Sequence, residues 1–169
     1  MMFPPINKAR TIIAVVSASL LIVVSILAAR ELRKGKLARL CSASNDPKYI
    51  TLTMGECFGP CSVYSLEFRG NGKLKWSGAR NVKKIGPLDD SFSPTLFSRV
   101  ITVLDQSGFA DDVDYLSGDT DSQMVSVELR CGTFTKKVKY TNEGVDLPKH
   151  LQGLDVKIIS TLALSHLVK

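Results

Sequence analysis

Two cysteines stand three residues apart in Glu56-Cys57-Phe58-Gly59-Pro60-Cys61, directly ahead of an alternating run that ends at Phe68. A close dithiol can do redox work, hold a metal or close a disulfide. Reactive dithiols lower a cysteine pKa with a helix N-terminus or a nearby cation. Here the residues after Cys61 read as a strand and an acid, Glu56, precedes the pair, so the pattern predicts a structural disulfide between Cys57 and Cys61. Gly59 relaxes the bend and Pro60 fixes its φ. Such a short ring contributes about 2 kcal/mol by loop entropy. A thiol-redox role for Cys57 and Cys61 is the alternative reading.

The other two cysteines extend the possibilities. Cys131 closes a strand and is either a buried free thiol or a partner of one of the motif cysteines; Cys41, in a linker, could pair between molecules. Redox or metal chemistry would draw on Cys57, Cys61 and Cys131. A zinc site from Cys41, Cys57, Cys61 and Cys131 lacks the second closely spaced ligand pair that structural zinc takes.

The acidic run Ala110-Asp111-Asp112-Val113-Asp114, continuing to Asp119 and Asp121, offers oxygens of the kind calcium uses, with Asp112, Asp114, Asp119 and Asp121 as the candidate set. Its spacing is not that of an EF-hand loop and fits a solvated loop. His150 and His166 read as surface histidines. No Ser-His-Asp ordering, phosphate loop or dinucleotide fingerprint is present. No catalytic residue and no cofactor are assigned, and the sequence points away from an enzyme.

The elements that must position these residues follow from periodicity. Ile50, Leu52 and Met54 alternate with threonines; Tyr64, Leu66 and Phe68 lead through Gly70-Asn71-Gly72 to Leu74 and Trp76, a hairpin. Val125, Val127 and Leu129 turn at Cys131-Gly132-Thr133 into a strand carrying Phe134, Val138 and Tyr140. Ser93-Pro94 opens a helix whose stripe is Leu96, Phe97, Val100, Ile101, Val103 and Leu104, ended by Gly108. Leu154, Ile158, Ile159, Leu162 and Leu167 mark a second amphipathic helix. Trp76 and Tyr64 read as core. The expectation is an α+β fold, an antiparallel sheet of about five strands with two helices packed on one face, preceded by one N-terminal transmembrane helix.

That last element comes from Thr11 to Ala29, an uncharged run whose length as a helix is roughly 28 Å, near a hydrocarbon core. Leu27 before Ala28-Ala29 does not fit a small-x-small cleavage site, so a retained signal anchor is expected rather than a cleaved signal. The domain reading is a short tail at 1–10, the anchor at 11–29, a basic stalk and linker at 30–47, and a single α+β domain at 48–169. The formal charge of +6 resides in residues 1–40, where Lys8, Arg10, Arg30, Arg33, Lys34, Lys36 and Arg39 face one acid, Glu31; the remaining 15 basic and 15 acidic residues cancel. No polyanion-binding excess remains, which argues against a nucleic-acid partner. The basic flank after Ala29 favours a cytoplasmic domain and the cysteine pair an extracytoplasmic one. The second is preferred: a single-pass membrane protein with a periplasmic or extracytoplasmic domain, its partners the bilayer through 11–29 and a protein or small ligand.

The Cys57-Phe58-Gly59-Pro60-Cys61-Ser62-Val63-Tyr64-Ser65-Leu66 strand, with Gly70-Asn71-Gly72 and Trp76-Ser77-Gly78, resembles a bacterial domain-of-unknown-function family, numbered 6438, over about residues 50–164. Ser62 departs from the proline usual after the second cysteine. The resemblance implies an exported domain and carries no activity. The Cys57, Cys61 spacing is also similar to the copper site of thioredoxin-fold assembly factors for cytochrome oxidase, which is where the copper-handling alternative comes from; those need a helix after the pair and a distant histidine, whereas here only His150 and His166 exist and no βαβ pattern precedes them. The sequence thus points to an envelope domain that binds or scaffolds.

Overall fold

The computed structural model describes residues 35–43, 47–116, 121–142 and 147–168. Six antiparallel strands form one sheet: β1 (Lys48–Met54), β2 (Val63–Arg69), β3 (Lys73–Arg80), β4 (Gly86–Ser91), β5 (Met124–Cys131) and β6 (Phe134–Thr141), in the order β4-β3-β2-β1-β5-β6. The helices are α1 (Lys36–Ala43), α2 (Thr95–Gln106), α3 (Leu154–Thr161) and the single turn α4 (Ser165–Val168).

Alternation sets the faces. Ile50, Leu52 and Met54 of β1, Tyr64, Leu66 and Phe68 of β2, Leu74 and Trp76 of β3, Val125, Val127 and Leu129 of β5, and Val138 and Tyr140 of β6 all point inward. Register aligns them: Leu52 sits opposite Leu66 on one side and Val127 on the other. The intervening threonines, serines and charged residues lie on the wetter face, as expected of an antiparallel sheet covered on one side. Phe97, Val100, Ile101 and Leu104 of α2 and Leu154, Ile158 and Ile159 of α3 join the sheet's inner residues in one core.

The expectation of about five strands and two helices is corrected to six strands and four helices among the described residues. β4 escaped because its sequence, Gly86-Pro87-Leu88-Asp89-Asp90-Ser91, has no buried alternation. It is an edge strand, where proline and charged residues discourage pairing with a further chain. The expected transmembrane segment at 11–29 lies outside the described residues. Among those described, no helix is long and apolar enough to cross a membrane, so no such helix belongs to the architecture as determined.

The stretch read as a basic stalk holds α1, which packs on the domain. Leu37 and Cys41 are buried. Asp105 of α2 accepts hydrogen bonds from the first-turn N–H groups of Leu37 at 2.8 Å and Ala38 at 3.1 Å, capping α1 from a distant part of the chain. Gly35 makes room, because a Cβ there would overlap the Asp105 carboxylate. Cys41 is disulfide-bonded to Cys131 at the end of β5. Cys131 is therefore neither a free thiol nor a partner of the Cys57, Cys61 pair.

The later helices show how the chain ends its elements. The Ser93 hydroxyl lies 2.8 Å from that of Thr95 at the start of α2, and Gly108, at φ 66°, follows its end. α3 and α4 divide the expected carboxyl-end helix where Ala163 turns to φ 57°, yet Leu162, Leu164 and Leu167 remain buried.

The two disulfides differ in loop length, and the difference is measurable. Replacing Cys41 and Cys131 together should cost about 4.5 kcal/mol on the loop-entropy relation, against about 2 kcal/mol for Cys57 and Cys61. Equilibrium urea unfolding of the two double variants checks the order. Asp105→Ala should cost about 1 kcal/mol through loss of the α1 cap, read by the same method.

Candidate functional site

The Met54 end of β1 carries the features with chemical potential. β1 and β2 pair with Met54 opposite Tyr64, and the connection between them holds the Cys57–Cys61 disulfide, its Cα atoms 6.1 Å apart. Cys61 leads into β2 rather than into a helix. The pair thus lacks the helix dipole that lowers a thiol pKa.

Hydrogen bonds fix the connection on several sides. Both ends are held by one side chain: the buried Gln123 amide donates to Gly55 O and to Ser62 O, each at 2.8 Å. Asn81 Nδ2 donates to Cys61 O at 3.0 Å, and Ser62 Oγ donates to Asn81 O at 2.9 Å. Arg80 Nη2 reaches Cys57 O at 3.4 Å. The loop is pinned, yet its tip is bare: Phe58 is 91% exposed.

Trp76 and Tyr64 underlie this end. Their rings stack at 4.7 Å, and Trp76 Nε1 donates to Lys84 O at 3.0 Å. Gly78 lets that loop approach, since a Cβ there would overlap the Lys84 carbonyl. The Trp-Ser-Gly signature is thus a packing motif for the β3–β4 connection. Both rings are buried, as expected.

Beside the loop opens a cleft of about 370 Å³. Its walls include Met54, Cys61, Tyr64, Gln123, Asp155 and Ile159. Asp155, in the first turn of α3, is only 6% exposed, and its Oδ1 is sealed from solvent without a hydrogen-bond partner. Burial raises its pKa above the ordinary carboxylate value, while the N–H groups of Val156 and of Asp155 itself pull the other way. Burial also raises the Tyr64 and Tyr140 phenols, and the nearby Asp155 charge adds to both. The Tyr140 hydroxyl lies by the Asp155 N–H but makes no hydrogen bond of its own. A carboxyl and two phenols thus share one buried corner.

Sequence reading missed Asp155 and Gln123. Asp155 had a signal: with Ile158, Ile159 and Leu162 it falls on the i, i+3, i+4, i+7 face of an apolar helix, where a carboxylate is out of place. Gln123 had none, because its role depends on the loop that meets it.

The candidate calcium residues take separate partners. Asp112 Oδ1 lies 3.0 Å from His150 Nε2 and receives the Tyr115 hydroxyl at 3.3 Å. Asp114 accepts the Lys139 N–H at 2.8 Å. Asp121 offers its backbone oxygen to Phe58 N at 3.4 Å, and Asp119 lies outside the described residues. Among the described residues no group of three or more His, Cys, Asp or Glu is placed to hold a metal ion. Cys57 and Cys61 come together with each other, and Cys131 with Cys41.

The fold and its site define a disulfide-tied antiparallel α+β domain. A family model described as Domain of unknown function (DUF6438) matches residues 48–162, and the chain belongs to that family. No curated protein matches the chain. The match begins at β1, so α1 and its Cys41 precede it.

Asp155 gives a signed pH prediction. Its folded-state pKa is raised above the unfolded value, so the stability it contributes is fully present below the unfolded pKa, near 3.8, and is lost as pH rises through the folded pKa. Asp155→Asn removes that dependence. The variant should gain stability relative to the parent as pH rises from 4 to 7, followed by chemical denaturation across that range.

Proposed function

We propose that this protein is a non-enzymatic binding or scaffolding domain of the cell envelope, on the extracytoplasmic side, with Cys57–Cys61 as a structural staple. The observation that carries the reading is Phe58: a 91% exposed aromatic ring on a loop held by a disulfide, by Gln123 and by Asn81. An exposed ring on a pinned loop loses little conformational freedom on docking, and large aromatics are favoured anchors in protein interfaces. Two disulfides are more at home in an oxidising compartment than in the cytosol. The uncharged run at 11–29 is the segment through which the domain would meet the bilayer, on sequence grounds alone.

The thiol-redox and copper alternative draws less support from the surroundings of the pair. A strand follows Cys61, and the loop's hydrogen bonds hold its backbone in place rather than freeing a nucleophilic sulfur.

A photo-reactive amino acid at Phe58, irradiated in living cells, tests the docking role. A discrete adduct of one mass, absent when the same reagent sits at exposed Lys73, is the expected result. Phe58→Ala should shift unfolding free energy by no more than about 0.5 kcal/mol, as for an exposed side chain. A diffuse ladder equal to that from Lys73 contradicts the proposal.

A further inference from the structure

We propose that the cleft beside the Cys57–Cys61 loop binds a protonated primary amine carried on a short aliphatic stem. The inference deepens the binding-domain reading above and rests on it, naming the ligand class for the wall behind the loop.

The cavity is the size of small-ligand sites, about 370 Å³. Its described lining includes no lysine, arginine or histidine. Its ionisable wall groups are Asp155 and Tyr64, and Asp155 Oδ1 is buried with no hydrogen-bond partner. A carboxyl oxygen buried without a partner is costly, and a positive charge seated in the cleft beside the Asp155 carboxyl would offset that cost through space.

Gln123 narrows the chemistry further. Both N–H groups of its amide are spent on Gly55 O and Ser62 O, so towards a ligand it can only accept. Two carbonyl oxygens at 2.8 Å from one amide atom identify that atom as nitrogen. The Gln123 amide oxygen and the ionised Asp155 carboxylate are therefore acceptors, and a ligand that supplies donors suits this part of the wall, while the Asn142 amide and the Tyr64 and Ser165 hydroxyls of the same lining can donate as well. An ammonium supplies three donors and a positive charge to a carboxylate. Met54, Ile159 and the Tyr64 ring provide apolar wall for the stem.

The pH dependence follows from the groups around Asp155. Tyr64 of β2 and Tyr140 of β6 face it, both with raised pKa values; Ser165 and Val168 are the α4 residues of the wall, and neither titrates. His166 of α4 is exposed and bonded to the Ala163 carbonyl, and Lys157 of α3 is exposed. No cation answers Asp155 from these elements. Binding of an ammonium favours the carboxylate, so affinity should be highest above the Asp155 pKa and fall as pH drops through it.

The test uses the oxidised full-length chain in detergent and ¹³C-methyl NMR of Met54 and Ile159. Probes are n-pentylamine, the Nα-acetyl methylamide of lysine, and n-pentanol as the uncharged control. Both methyl groups should shift with pentylamine or the lysine derivative at pH 7.5; the tighter of the two tells a free amine from a lysine side chain. Pentanol should bind at least tenfold more weakly, and Asp155→Asn should lose at least tenfold in amine affinity. Val156→Trp, at an exposed rim position, should block both probes while leaving the fold unchanged. Equal binding of pentanol, undiminished binding by Asp155→Asn, or no methyl shift with any amine overturns the proposal. The readouts separate the two readings: amine binding without a Phe58 adduct removes the docking role alone, and a Phe58 adduct without amine binding removes this site alone.

Discussion

The structure depends on one constraint: the sheet has a single apolar face, and everything that covers it must come from one side. β1 sits between β2 and β5, with Ile50, Leu52 and Met54 contributing to the inner surface on the axis of the sheet. Burying such side chains stabilises by roughly 1.5–3 kcal/mol each, which fixes the register, because a slip of one residue would turn the whole row to water. The outer face keeps Thr51, Thr53, Ser65, Glu67, Ser126 and Glu128 only partly covered. Helices on that side would meet no apolar surface.

A one-sided core is open at both ends of its central strand, and the two ends are closed differently. At the Lys48 end, opposite Cys131, α1 is held by the disulfide to Cys41 and by the Asp105 cap. That closure is apolar and covalent. At the Met54 end the loop with Cys57 and Cys61 folds over, α3 arrives with Asp155, and a cleft remains. The tight end stabilises, and the looser end presents an exposed ring and a buried carboxyl. A covalently closed end and an open cleft are thus placed at opposite ends of the same strand.

How much of this could be read from the sequence depends on the same geometry. Strands with a buried face announce themselves by alternation, which is why the segments at Ile50, Tyr64, Leu74, Val125 and Val138 were legible. β4 was not, since an edge strand with half-buried Leu88 as its main inward contact leaves no pattern. Helix α2 was legible from Ser93-Pro94 and its stripe. A short basic helix or stalk was legible at α1, but its packing on the domain was not, because basic residues surround Leu37 and Cys41 and its N-terminal cap comes from Asp105, which is distant in sequence. The Cys57, Cys61 staple could be argued from the strand after it. The Cys41–Cys131 bond could not, because that pairing depends on where α1 packs. Asp155 left a faint trace in helical periodicity, and Gln123 none, since its two carbonyl partners belong to a loop that only folding brings near.

The central claim is that the cysteine pair shapes a binding surface rather than performing thiol chemistry. The measurement that tests it most directly is the redox state of the four cysteines in the intact protein taken from cells. Free thiols are alkylated at once, the disulfides are then reduced and labelled separately, and the peptides are mapped by mass. Full linkage of Cys57 to Cys61 and of Cys41 to Cys131, resistant to mild reductant, is the predicted result. A Cys57, Cys61 pair found reduced, or cycling between states while Cys41–Cys131 stays closed, would contradict the account and make thiol chemistry the better description of this loop.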